Sequence, residues 1–124
     1  MKLTCRGTEP QIIAVGEPRI DAAVAIQFKD AMRAALSSEA GRVILDLSQV
    51  EFIDSSGLGA VVAVKKAMPP PQRLDLAGLT PMVDKLFRLT RMDTIFALYP
   101  TLAEAEVAQA PLGAQRSPVD GSEG

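Results

Sequence analysis

Arg42-Val43-Ile44-Leu45-Asp46-Leu47, then Ser48-Gln49-Val50-Glu51-Phe52-Ile53, then Asp54-Ser55-Ser56-Gly57-Leu58-Gly59 is the stretch on which the fold turns. Arg42 to Leu47 is apolar at nearly every position except Asp46, the pattern of a strand covered on both faces. A helix is predicted from about Ser56 to Met68, with Leu58, Val61, Val62 and Met68 on one face and Lys65 and Lys66 turned to water. The seam between them places a hydroxyl at a helix N-terminus. Free backbone N–H groups and the positive end of the helix dipole meet there. A phosphate on that hydroxyl would be tolerated by the fold.

Upstream, Lys2 to Gly7 and Gln11 to Val15 read as a strand pair turning at Thr8-Glu9-Pro10, and Gly16-Glu17-Pro18 stops the second strand. Asp21 to Leu36 reads as a helix, with Ile20, Val24, Phe28, Ala31, Ala35 and Leu36 near the 3.6-residue period and Asp21 at an N-cap or first-turn position. Downstream, Met68-Pro69-Pro70-Pro71 ends the seam helix. Arg73 to Leu76 is a short strand. Thr80-Pro81 opens a helix to Thr90 in the hydroxyl-then-proline form. Thr94 to Leu98 is a further strand, and Thr101 caps a last helix from Leu102 to Gln109. Residues 110–124 are rich in breakers and polar groups, and are expected to be a disordered tail following one domain of residues 1–109.

The order is β-β-α-β-α-β-α-β-α. It implies an α/β fold: one mixed, mostly parallel sheet of about five strands, with helices packed chiefly on one face. At 124 residues and 48% hydrophobic there is material for a single core, and with 4% aromatics that core is aliphatic.

Composition narrows the chemistry. The net charge is −2 and no basic cluster would track a nucleic acid backbone. No apolar run approaches the roughly 18–20 residues of a membrane span, and the first residues lack a long apolar leader segment, so the expected location is cytoplasmic. The single cysteine, Cys5, leaves no disulfide and no zinc cluster, and reads as a small buried residue of the first strand. With no histidine there is no Ser-His-Asp arrangement. Gly57-x-Gly59 has the place of a dinucleotide loop, but Val62 stands at the third glycine position. Asp54 stands where a nucleophile elbow needs glycine. Asp21 and Asp54 could work as an acid–base pair or hold magnesium, although cap and turn roles suffice for both. The expectation is a protein that is not an enzyme and carries no cofactor or metal. Ser55 and Ser56 are explained on physical grounds alone by helix capping. The two glycines would leave a hydroxyl there uncovered.

With these residues in view, the segment from Val43 to Leu47 and from Val50 to Gly59 resembles the central motif of STAS domains, and more narrowly that of anti-sigma factor antagonists. Arg19-Ile20-Asp21-Ala22-Ala23 resembles the family's segment before its first helix. Leu79 to Phe87 resembles its helix after the fourth strand. The resemblance spans roughly residues 2–109. It implies that Ser56 is a phosphoacceptor, flanked by Asp54, Ser55, Gly57, Leu58 and Gly59, with Asp21 close by. It also implies two partners: an anti-sigma factor serine kinase of the histidine-kinase-like ATPase fold, which the unphosphorylated form binds so that a sigma factor is freed, and a PP2C-like serine phosphatase that resets the cycle. Arg88, Leu89 and Met92 are candidates for the edge of the partner surface. The rival reading is a STAS adaptor or scaffold that is never phosphorylated, in a lipid-transport or stress-signalling complex. Two loops depart from the family pattern, Pro69-Pro70-Pro71 and Arg91-Met92-Asp93.

Overall fold

Largely apolar strands, buried at nearly every position in the centre, build a five-stranded sheet in the order β1-β2-β4-β6-β7. Its strands are β1 (Leu3–Arg6), β2 (Gln11–Val15), β4 (Arg42–Asp46), β6 (Arg73–Ala77) and β7 (Leu98–Tyr99). β1 runs antiparallel to β2, and every other pairing is parallel. The computed structural model describes residues 1–108. The expected end of the last helix at Gln109 and the expected tail of residues 110–124 lie outside the described residues.

The sheet's two faces follow from its period of two. Ile13, Val15, Val43, Leu45, Leu74 and Leu76 point into the main core. There they meet three helices: α1 (Ala25–Ala35), α2 (Ser55–Ala67) and α3 (Pro81–Leu89). α1 supplies Phe28 and Met32, one turn apart, and α3 supplies Val83 and Phe87 at the same spacing. Each is fully buried, and each such side chain contributes about 1.5–3 kcal/mol. Ile12, Ile44 and Ala77 point to the other face, which is covered by the short α4 (Leu102–Val107) through Ala105. Helices therefore lie chiefly on one face, as the sequence predicts.

Two buried polar groups tie the lower edge together. Gln11 donates from Nε2 to Ala35 O (2.7 Å) and accepts at Oε1 from Ser37 N (2.9 Å), joining β2 to the end of α1. Asp75 is 1% exposed and takes Arg42 Nε at 2.7 Å and Arg73 Nη2 at 2.9 Å.

The differences from the sequence reading have local causes. Cys5 is exposed, because β1 is an edge strand and the core covers little of it beyond Leu3. Helix α1 starts at Ala25 with Val24 at its N-cap, so Asp21 is no cap. Thr80 holds the N-cap position of α3, yet its hydroxyl donates to Val50 O at 2.9 Å rather than capping. The expected strand from Thr94 to Leu98 is irregular up to Ala97: a 3-10 turn, Met92–Thr94, entered through Arg91 at φ 64°, ends at its first residue, and a turn and bend follow. Only Leu98–Tyr99 pairs, because the bend is needed to bury Phe96 edge-on against Phe87, their ring centroids 6.1 Å apart. Lys65 is half-buried and stands over the Phe96 ring at 6.0 Å, while Lys66 is exposed.

Candidate functional site: the Asp54–Gly59 seam

A second, two-stranded sheet makes the seam. β3 (Arg19–Ile20) and β5 (Phe52–Ile53) pair in parallel, which brings the entry to α1 beside the start of α2. Arg19 lies over the Phe52 ring at 4.6 Å, closing the outer side of this pair. Two-residue strands are too short to show alternation: in the sequence Phe52–Ile53 reads as part of a connection, and Ile20 falls in with the period of the first helix.

Asp54 is the N-cap of α2, in extended backbone. Its Oδ1 accepts from Gly57 N at 2.8 Å, and its Oδ2 accepts from Ala22 N at 3.1 Å. One carboxylate thus caps one helix and fastens the approach to another. The bond from Gly57, with further backbone N–H groups of Ala22 and Ser56, holds the Asp54 carboxyl below its ordinary value of 3.8 against the opposing effect of desolvation. A carboxylate stabilised in this way is a weaker base.

Because Asp54 does the capping, the serines do not. Ser55 and Ser56 occupy the first turn of α2, both are exposed, and among the described residues neither hydroxyl has a hydrogen-bond partner. Helix capping therefore does not account for Ser55 and Ser56.

The two glycines differ. Gly57 is buried, and a Cβ on it would lie 1.9 Å from Ile20 O. It is required by the close approach of α2 to β3, not by access to a hydroxyl. Gly59 is exposed with nothing within 4 Å of a Cβ position, so the surface there is open. Leu58 is half-buried and packs against the main core.

Asp21 forms a turn of its own. Its Oδ1 accepts from Ala23 N at 3.1 Å and its Oδ2 from Arg19 Nε at 3.2 Å. The next residue, Ala22, is the one bonded to Asp54, so Asp21 does sit beside the seam. The same turn carries an apolar group that sequence reasoning passed over. Ile26 is one helical turn beyond Ala22 and 69% exposed, with Ala22 and Ala23 also exposed. An isoleucine placed off the buried positions of α1, Phe28 and Met32, was the available signal.

Arg88, Leu89 and Met92 form a separate group at the far end of α3. Arg88 pairs with Asp84 at 3.0 Å, Leu89 is 72% exposed, and Met92 packs against the main core. Among the described residues no hydrogen bond or ion pair joins them to the seam. Among the described residues no group of His, Cys, Asp and Glu could hold a metal ion, and no helix is long and apolar enough to cross a membrane.

Residues 6–100 match the family model described as Mlab, STAS domain. The anti-sigma-B factor antagonist of Listeria monocytogenes is 33% identical over 88 residues, 70% of this chain and 75% of that one. This chain belongs to the STAS family of anti-sigma factor antagonists. Among solved structures, an anti-sigma factor antagonist from Mycobacterium paratuberculosis superposes with a TM-score of 0.75 at 25% identity, covering 85% of this chain and 90% of that one. The Bacillus cell-fate determinant SpoIIAA, solved in its phosphorylated form, shares the fold with a TM-score of 0.60 at 19% identity, covering 85% of this chain and 96% of that one. Within this STAS domain the matched segment contains β2 through β7, and with them the whole seam.

Proposed function

We propose that this STAS domain is the antagonist in a partner switch controlled by phosphorylation of Ser56. In the unphosphorylated state it binds an anti-sigma factor serine kinase of the histidine-kinase-like ATPase fold, and a sigma factor is freed. Phosphorylation by that kinase ends the complex, and a PP2C-like serine phosphatase restores the acceptor. The observation that carries this reading is the division of labour at the seam: Asp54 caps α2, which leaves the Ser56 hydroxyl exposed and unbonded among the described residues. That SpoIIAA, a protein of the same fold, has been solved phosphorylated lends the reading support.

The chemistry asked of this chain is small. Ser56 Oγ is the nucleophile toward a γ-phosphoryl group, and the base that takes its proton belongs to the kinase, since both Asp54 carboxylate oxygens are engaged by backbone N–H groups and its basicity is lowered. Once formed, the phosphate carries about −1.5 to −2 charges. It stands at the N-terminus of a long helix, where backbone N–H groups and the dipole favour an anion. Asp54 and Asp21 oppose it, and Arg19 lies beside Asp21 to offset part of that repulsion. The domain therefore stays folded, and the switch acts at the partner surface. That surface comprises the exposed Ser55, Ser56 and Gly59 with Ala22, Ala23 and Ile26 across the seam. Arg88, Leu89 and Met92 would lie at its margin.

Intact-protein mass spectrometry after incubation with ATP and lysate of the source organism tests the acceptor. One phosphate on wild type and none on Ser56→Ala is the expected result. No phosphate, with the lysate active on another substrate, would replace this reading by that of a constitutive STAS adaptor.

A further inference from the structure

Away from the seam, a groove of about 370 Å³ lies along the C-terminal halves of α1 and α2. α1 contributes Lys29 and Arg33 with its C-cap Leu36, and α2 contributes Ala63, Val64 and Ala67. The spacing is helical on both sides, so each set is one stripe facing the other. Small alanines on α2 open the space. Leu36 and Val64 line it with aliphatic carbon.

The charges along this groove are of one sign. Among the lining residues two are cationic and none is acidic. Lys29 is half-buried and has no ion pair among the described residues. Arg33 meets only Asp30, at 3.5 Å on an open surface, where such a pair contributes little and is readily exchanged for a better anion. No aromatic side chain lines the groove to stack a base, and no hydroxyl or amide side chain lines it to bind a sugar. Its size is near the lower end of small-molecule sites. Such a lining suits an anionic head and a flexible apolar chain.

We propose that this groove binds a small amphiphile with a carboxylate head and an unbranched apolar chain. Lys29 and Arg33 hold the head, and the chain lies over Leu36, Ala63, Val64 and Ala67. The site is two turns along α2 from Ser56, about 12 Å, and does not depend on the reading of Ser56 as a phosphoacceptor. An occupant would touch both helices whose N-terminal ends are linked through Asp54 and Ala22.

The test is a titration of the full chain with octanoate and decanoate below micelle formation, followed by calorimetry and by amide NMR. Decyltrimethylammonium serves as the cationic control. Saturable one-to-one binding is expected, with shifts centred on Leu36, Ala63, Val64 and Ala67. Affinity should rise roughly fourfold per added methylene. The double substitution Lys29→Gln, Arg33→Gln should weaken binding by about tenfold or more. Ala67→Phe, at an exposed position, should abolish binding while the melting temperature holds. Absence of saturable binding, equal affinity for the ammonium amphiphile, shifts centred elsewhere, or binding that survives Ala67→Phe would each overturn the proposal.

Discussion

Asp54 Oδ2 accepts a hydrogen bond of 3.1 Å from the backbone N–H of Ala22, across 32 residues of sequence, while its Oδ1 caps α2 through Gly57. One carboxylate thus sets the position of α1 relative to α2 at the surface where Ser56 is displayed. The folded form of Asp54 has a lowered pKa, so its contribution to stability is present above the ordinary value of 3.8 and is lost as the pH falls below 3.8 through the folded value. Asp54→Ala should lower the melting temperature at neutral pH, and the gap between variant and wild type should close in acid over that window. Thermal melts from neutral pH down to about pH 2 check this. A gap that is constant with pH would show that the carboxylate's charge is not what matters.

Gly57 and Gly59 make a matched pair of opposite sign. Gly57→Ala drives a Cβ to 1.9 Å from Ile20 O, so α2 must move away from β3; the cost should be about 1–3 kcal/mol or more. Gly59→Ala meets nothing within 4 Å and should raise stability by roughly 0.5–1 kcal/mol through helix propensity. Urea denaturation of both variants decides the point.

Most of the fold and part of the site were legible in the sequence, and the boundary is physical. The unbroken apolar run Val43 to Leu45 marks a strand covered on both faces and the helix after it is long enough for its period to show, so the parallel core and the place of Ser56 could be read directly. Arg19–Ile20 and Phe52–Ile53 could not, because a two-residue strand has no period, and with them went the link from Ala22 to Asp54. Asp21 and Thr80 looked like caps because their residue types favour caps, but Asp21 closes a local turn with Ala23 N and Arg19 ahead of the helix, and Thr80 donates to the distant Val50 carbonyl. Exposure of Cys5 depends on how far the core extends under an edge strand, which no local pattern records.

Asp75 is the one carboxylate between two arginines at the lower edge of the sheet, and Arg42 Nη2 is already buried without a partner among the described residues. Asp75→Ala would leave Arg42 and Arg73 facing each other with no counter-charge. A loss of about 3–5 kcal/mol is expected. Chemical denaturation measures it, and a loss below about 1 kcal/mol would show that the arginines find water instead.

Ile26 is 69% exposed and contributes nothing to the core. Ile26→Ser should therefore change stability by no more than about 0.5 kcal/mol. If the surface across the seam is where the kinase binds, the same change should weaken that complex about tenfold or more, as loss of a central apolar contact does. Leu89→Ser, at the far end of α3, should have a smaller effect.

The most direct test of the central claim is a calorimetric titration of the cognate serine kinase with this domain, unphosphorylated and then stoichiometrically phosphorylated at Ser56, with melting curves of both forms. The account predicts binding weakened by roughly 5- to 150-fold on phosphorylation, with no fall in melting temperature. Equal affinity of the two forms would contradict it, and weaker binding accompanied by a lower melting temperature would show that the phosphate acts by disturbing the fold.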